Sequence, residues 1–134
     1  MDPFSWTLRY MPLAYVARGR DWRGVDCWGL AALVWREERG VVLPEPGDYS
    51  DTEAARAAQM ASAAAVARAH FRRIDRRTPF AIANFIVLRQ PVHVGLVVDA
   101  EHFLHAAHEE GGVVLARFDD PRWRDRLEGL YVPA

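Results

Sequence analysis

The chain has 134 residues, 51% of them hydrophobic, which is the usual size of one domain and enough to close one core without staples. Its basic and acidic side chains nearly cancel to a formal net charge of -1, so bulk charge points to neither nucleic acid nor an anionic membrane as a partner. All 17 basic side chains are arginine, which reads as codon bias of a GC-rich genome, and a single cysteine excludes an internal disulfide.

The first residues, Met1-Asp-Pro-Phe-Ser-Trp, lack the basic segment and apolar run of a secretory signal, so export by the general pathway is not expected. Arg, Glu and His interrupt every apolar stretch well short of the roughly 18 residues of a membrane span, so no membrane partner is expected either. The first element in chain order is a helix. Asp26 is a good N-cap, Val25 and Leu30 are spaced as a hydrophobic staple, Glu37 and Arg39 decorate the far end and Gly40 closes it. Cys27, Leu30, Ala31, Val34 and Trp35 recur on one helical face, which turns the first turn inward. Leu43-Pro-Glu-Pro-Gly-Asp-Tyr is turn chemistry. Ser50 and Glu53 then form a capping box that opens an Ala-rich helix running to about Phe71, within a variable helical segment at 50–76. After Pro79 the period becomes extended, with runs at 84–89, 92–98, 102–107 and 112–118 that suggest an antiparallel meander. Gln90-Pro91, Asp99-Ala-Glu101 and Glu109–Gly112 supply the connections. Asp119-Asp-Pro-Arg-Trp starts a short helical turn before a last strand at 130–132. Helices first and sheet afterwards make one α+β domain over residues 1–134.

Composition leaves Cys27 as either a buried small hydrophobe or a reactive thiol. Its place in the first turn of a helix, where unpaired N–H groups favour negative charge, is the place for a nucleophile. Gly29, two residues on, leaves a gap beside the sulfur for a substrate backbone. In Pro-Val-His-Val-Gly-Leu-Val-Val, the residues Val92, Val94, Leu96 and Val98 share one strand face while His93 and Gly95 share the other, toward a cleft. A lone histidine of this kind is more often structural; a pairing with Cys27 makes it a general base. His105, on the next strand, is placed to hold the second imidazole nitrogen and fix the tautomer.

These residues resemble the NlpC/P60 family of papain-like cell-wall peptidases. Asp26-Cys27-Trp28-Gly29-Leu30 is similar to its nucleophile motif, His93-Val94-Gly95-Leu96 to its base motif and Phe103-Leu104-His105-Ala106 to its third-residue motif, in the same order. Tyr15 matches the tyrosine that members place beside the nucleophile to position substrate or stabilise the oxyanion. The resemblance covers about residues 10–45 and 80–133, and the Ala-rich segment falls where the family varies. It implies a papain-like fold, N-terminal helices packed on an antiparallel sheet, with Cys27, His93 and His105 catalytic and no cofactor or metal. Trp28 and the ending Asp120-Pro-Arg-Trp-Arg-Asp-Arg-Leu-Glu-Gly look like the short versions encoded in tail-gene clusters of bacteriophages and gene transfer agents. That implies peptidoglycan stem peptides as substrate, commonly cut between D-glutamate and diaminopimelate, and tail hub or tail-tip proteins as partners. It further implies synthesis in the cytoplasm and action in the periplasm of a target cell. Many members have Ser where this chain has Trp28, and that Ser assists the Asp26-type residue in recognising a substrate amine, so the bond cut stays open.

Three rival readings stand beside this one. His102, His105 and His108 with Glu109 and Glu110 contain zinc-ligand chemistry, but in an extended run a three-residue step throws ligands to opposite faces, and no His-Glu-x-x-His element is present. A non-catalytic tail-tip subunit would keep the fold for assembly alone. An amidase or acyltransferase would share the nucleophile and differ in the cleft.

Overall fold

A computed structural model describes residues 2–45, 70–87 and 90–134, with the side chains of residues 87 and 90–92 excepted. A short 3-10 helix, Ser5–Arg9, precedes a two-stranded hairpin of β1 (Arg20–Asp21) and β2 (Gly24–Val25). The helix α1 (Cys27–Arg39) follows, then β3 (Phe71–Ile74), β4 (Ile82–Val87), β5 (Gln90–Val97), β6 (His102–Ala107), β7 (Gly112–Arg117) and β8 (Leu127–Pro133). The large sheet runs β3-β8-β4-β5-β6-β7, and every pairing in it is antiparallel. The β4 to β7 stretch is the expected meander, and the α+β class is confirmed. No helix among the described residues is long and apolar enough to cross a membrane.

The helix begins and ends where its capping residues place it. The Asp26 carboxylate accepts from the Gly29 N–H at 2.7 Å, and Gly40 adopts the left-handed conformation (φ 66°) that closes a helix at little cost to glycine. Val25 and Leu30, the staple pair, are both buried. Burial is wider than one stripe. Trp28, Gly29 and Leu33 are covered along with Leu30, Ala31, Val34 and Trp35, because the helix lies in a trough between the sheet and the N-terminal segment.

Three expectations are corrected. The segment at 46–69, which holds the Ser50 and Glu53 capping box and most of the Ala-rich helix, lies outside the described residues, but its expected end is not helical. Phe71–Ile74 pairs with β8, Phe71 opposite Pro133 and Ile74 opposite Leu130. Phe71 joins the core on the helix side and Ile74 the core on the other side, so sheet edge pairing overrides the local helical propensity. Gln90 and Pro91 are the start of β5, not a connection. The last strand is also longer than expected, since its pairing with β4 begins at Leu127.

The sheet separates two cores. Ile82, Val94, Leu96, Val98, Leu104 and Ala106 pack toward α1. Ala83, Phe85, Val97, Phe103, Phe118 and Leu130 form a smaller cluster on the opposite face, closed by Trp123 from the turn between β7 and β8. At roughly 1.5–3 kcal/mol for each fully buried large apolar side chain, Leu30, Leu33 and Val34 alone make the α1 seam a principal source of stability.

Candidate functional site

Cys27 is the first residue of α1 and is only partly exposed. The backbone N–H groups of Val94 and Trp28 act on its sulfur, which places the thiol against β5 immediately after His93. Desolvation and then the Asp26 carboxylate push the thiol up to about 11, outweighing those two N–H groups and the Arg20 guanidinium. Burial and the Asp26 carboxylate thus oppose the lowering that a helix terminus gives.

His93 and His105 meet as their spacing foretold. His93 Nε2 lies 2.9 Å from His105 Nδ1, and the two rings stand at 89° with centroids 5.1 Å apart. Ladder pairing between β5 and β6 is confined to Leu96 with Leu104 and Val97 with Phe103. Extending that register puts Gly95 across from His105. A Cβ on Gly95 would lie 2.9 Å from Phe103 Cδ2, 3.1 Å from the Leu104 carbonyl and 3.4 Å from His105 Cβ, so the missing side chain is what lets the diagonal imidazoles touch. Desolvation lowers His93 to about 4, against a smaller opposing pull from Glu109. Desolvation, with smaller contributions from His93 and Arg122, lowers His105 to about 3. Both rings are neutral at pH 7. If His93 Nδ1 is to accept a proton, Nε2 carries the hydrogen and donates to His105 Nδ1, which fixes both tautomers.

Trp123, which the sequence places in a short helical turn with no sign of a role at the site, completes the pair's surroundings. Its ring stacks on His93 at 5.2 Å and 18° and meets His105 edge-on at 5.1 Å and 79°. A tryptophan in a polar turn offers no periodic signal; its only sequence hint was a large aromatic among arginines. Next to the pair is a cavity of about 700 Å³ whose walls include His93, His105, Glu109, Arg122, Trp123 and Arg126.

The remaining expected residues divide. Tyr15 bridges to Val25, two residues before Cys27; its N–H donates to the Gly111 carbonyl at 2.9 Å, and its ring meets His108 edge-on at 5.2 Å. Asp26 is 4% exposed and both its oxygens are engaged within the chain. Oδ1 accepts from Gly29 N–H and from Arg20 Nη1, each at 2.7 Å, and Oδ2 accepts from Arg18 N–H at 3.0 Å. Trp28 packs into the core, edge-on to Phe71, and its indole donates to the Pro44 carbonyl at 3.1 Å, so it clamps the segment after α1. Gly29 is corrected: a Cβ there would run into the Gly19 carbonyl, so its absence admits the loop before β1 and not a substrate. The three histidines weighed for zinc take separate partners. His102 is hydrogen-bonded to Asp99 at 2.9 Å, His105 to His93, and His108 lies on Tyr15.

The sequence model of the NlpC/P60 family matches residues 13–131. A search of curated proteins finds no match. Among solved structures, the fold is similar to a Staphylococcus aureus subsp. aureus Mu50 protein described as similar to lipoprotein, NLP/P60 family. The TM-score is 0.65 with 18% identity over 97% of this chain. The chain spans 39% of the length of that protein, so the likeness is one of fold. With a family match that runs through the cysteine helix and every strand of the meander, the chain belongs to the NlpC/P60 family, whose members are in general cysteine peptidases and hydrolases of the cell wall.

Proposed function

We propose that the protein is a cysteine endopeptidase acting on peptidoglycan stem peptides, with Cys27 as nucleophile, His93 as general base and His105 orienting His93. The observation that supports this reading is the 2.9 Å imidazole pair on β5 and β6 together with the Val94 N–H, next to His93 in β5, acting on the Cys27 sulfur. Because burial raises the thiol and lowers the imidazole, the resting pair is neutral thiol and neutral imidazole. The thiol proton passes to His93 Nδ1 as sulfur attacks the scissile carbonyl and the S–C bond forms. Collapse breaks the C–N bond, and the leaving amine takes that proton. Water then attacks the thioester while giving a proton to His93, and cleavage of the C–S bond restores the thiol. Tyr15, beside the Cys27 turn, serves the substrate or the oxyanion.

The bond is D-glutamyl–diaminopimelate, and the enzyme is made in the cytoplasm, carried in the tail of a phage-like particle or gene transfer agent against hub or tail-tip proteins, and released to act in the target periplasm. Support for carriage comes from Trp28 and from the 120–129 ending, and for the bond from the family resemblance. Incubation with purified sacculi, with mass analysis of released fragments, tests the activity and the bond together. Wild type should release stem-peptide fragments and Cys27→Ala none; equal release by Cys27→Ala would remove the nucleophile. Detection of the chain in purified particles tests the carriage.

A further inference from the structure

We propose that Trp123 is a positioning residue for the His93–His105 pair, its indole holding the two imidazoles at right angles and keeping water from the hydrogen bond they share. The inference rests on the catalytic reading of that pair. One flat ring that lies parallel to His93 and perpendicular to His105 is the third member of a geometry in which the two imidazoles are themselves at 89°, so the three orientations fix one another. The indole is itself held. It meets Phe85 at 5.1 Å and Phe103 at 5.8 Å. Its backbone is fixed by a turn in which the N–H groups of Trp123 and Arg124 both donate to the Asp120 carbonyl at 2.8 Å. The turn is tied to β4 through Ile86 N–H on the Arg126 carbonyl, also at 2.8 Å.

Bulk alone does not account for the residue. The indole N–H is buried and has no hydrogen-bond partner among the described residues, a cost that a phenylalanine wedge would not carry. What the larger ring adds is reach over two imidazoles at once. Water admitted to the pair would compete for the Nε2–Nδ1 hydrogen bond and solvate the charged forms, so His93 would lose the fixed tautomer that leaves Nδ1 free to accept a proton. The charged and titratable groups around the pair are Glu109, which pulls His93 upward, Arg122, which pushes His105 downward, and Glu110, Arg117, Asp120, Arg126 and His102 about the cavity. None of these is altered by changing Trp123.

The test is NMR titration of the two imidazoles in wild type, Trp123→Ala and Trp123→Phe, run beside the pH dependence of kcat and KM on stem peptides. Wild-type His93 should titrate near 4; in Trp123→Ala both rings should move toward the ordinary 6.5, carrying the acid limb of activity with them. In that variant kcat should fall by about tenfold to a hundredfold, part of a general-base contribution, with KM nearly constant. Trp123→Phe, whose smaller ring cannot reach both imidazoles, should recover only part of the difference. If Trp123→Ala does not fold, Trp123→Leu replaces it, keeping apolar cover without a flat face. Imidazole midpoints and an acid limb unchanged from wild type, with only the melting temperature lowered, would overturn the proposal and leave Trp123 a packing wedge. The titration needs no turnover, so a wild type that fails to hydrolyse stem peptides sinks the peptidase reading while the Trp123 result remains readable.

Discussion

The two faces of the main sheet are built from different materials and do different work. Toward α1 the strands present aliphatic side chains, sealed by a helix whose first turn carries Cys27. On the opposite face the same strands present Phe85, Phe103, His93 and His105, covered by a turn. Strand alternation makes both from adjacent residues: Val94 packs into the aliphatic core while His93 faces the aromatic cluster. The Val94 N–H acts on the Cys27 sulfur one residue along β5 from His93, so the closed face and the histidine pair adjoin there. A stable, closed face thus fixes the nucleophile, and a less regular face holds the proton chemistry and opens on the cavity.

Lesions on the two faces should therefore separate activity from stability. The largest effect is expected at His93→Ala, with a loss of about 10²–10⁴ in kcat/KM on stem peptides, the usual range for a general base. His105→Asn should lose less, because an amide still accepts from His93 Nε2; equal and complete loss in both would argue against the assigned roles. Leu33→Ala, in the closed core, should cost about 2–5 kcal/mol in denaturant unfolding while leaving kcat/KM within about threefold well below the melting temperature. Activity lost in proportion to stability there would mean that the faces are not separable. Gly95→Ala stands between them. Its Cβ meets the rigid Leu104 carbonyl, so about 1–3 kcal/mol of overpacking should accompany a displaced histidine pair, seen as a weakened imidazole hydrogen bond by NMR.

The closed face was largely legible in the sequence. Asp26, Leu30 and Gly40 each carry a local rule for capping, stapling or terminating a helix, and such rules act within a few residues. The histidine pair was legible because period two puts His93 and Gly95 on one side. Trp123 and the Phe71–Ile74 strand were not, because what places them is contact with residues far along the chain: β8 for the strand, and Phe85, His93 and Phe103 for the indole. The partners of Asp26 were half legible. The cap is a local rule, while Arg18 comes to it from the loop before β1 and Arg20 from β1 itself.

A smaller effect comes from pH. Burial lowers both His93 and His105 from the ordinary 6.5, to about 4 and about 3. Between those values and 6.5 the unfolded chain binds protons that the folded chain does not, so the pair's contribution to stability is whole above about 6.5 and is lost as pH falls toward 4. Unfolding midpoints in urea should decline from pH 7 to pH 4.5, and the decline should be shallower in a His93→Gln, His105→Gln double variant. Parallel slopes would show that these rings are not buried neutral. Alkylation of Cys27 by iodoacetamide should likewise rise with pH beyond 9, as expected for a thiol near 11; a rate already level at pH 6 would reveal a preformed thiolate–imidazolium pair.

The smallest effect concerns substrate amines, where the family resemblance and the geometry pull apart. An Asp26-type carboxylate that binds a substrate ammonium should favour stem peptides with a free N-terminal amine by about tenfold or more, the worth of a charge-assisted hydrogen bond of roughly 1.5–3 kcal/mol. Here the carboxylate is buried, caps α1 through Gly29 and is salt-bridged to Arg20 at 2.7 Å, and Arg20 is itself held by Glu45 at 3.0 Å. A substrate ammonium would have to displace a guanidinium already in place, and Trp28, where many members carry the assisting Ser, is committed to Pro44. We therefore expect free and N-acetylated tetrapeptides to be cut at rates within about twofold of each other, well below what such a hydrogen bond would give. Asp26→Asn, which keeps a cap oxygen but not the charge, should lower stability without changing that ratio. A wild-type preference of tenfold that vanishes in Asp26→Asn would return the carboxylate to substrate recognition and require Arg20 to swing aside when substrate binds.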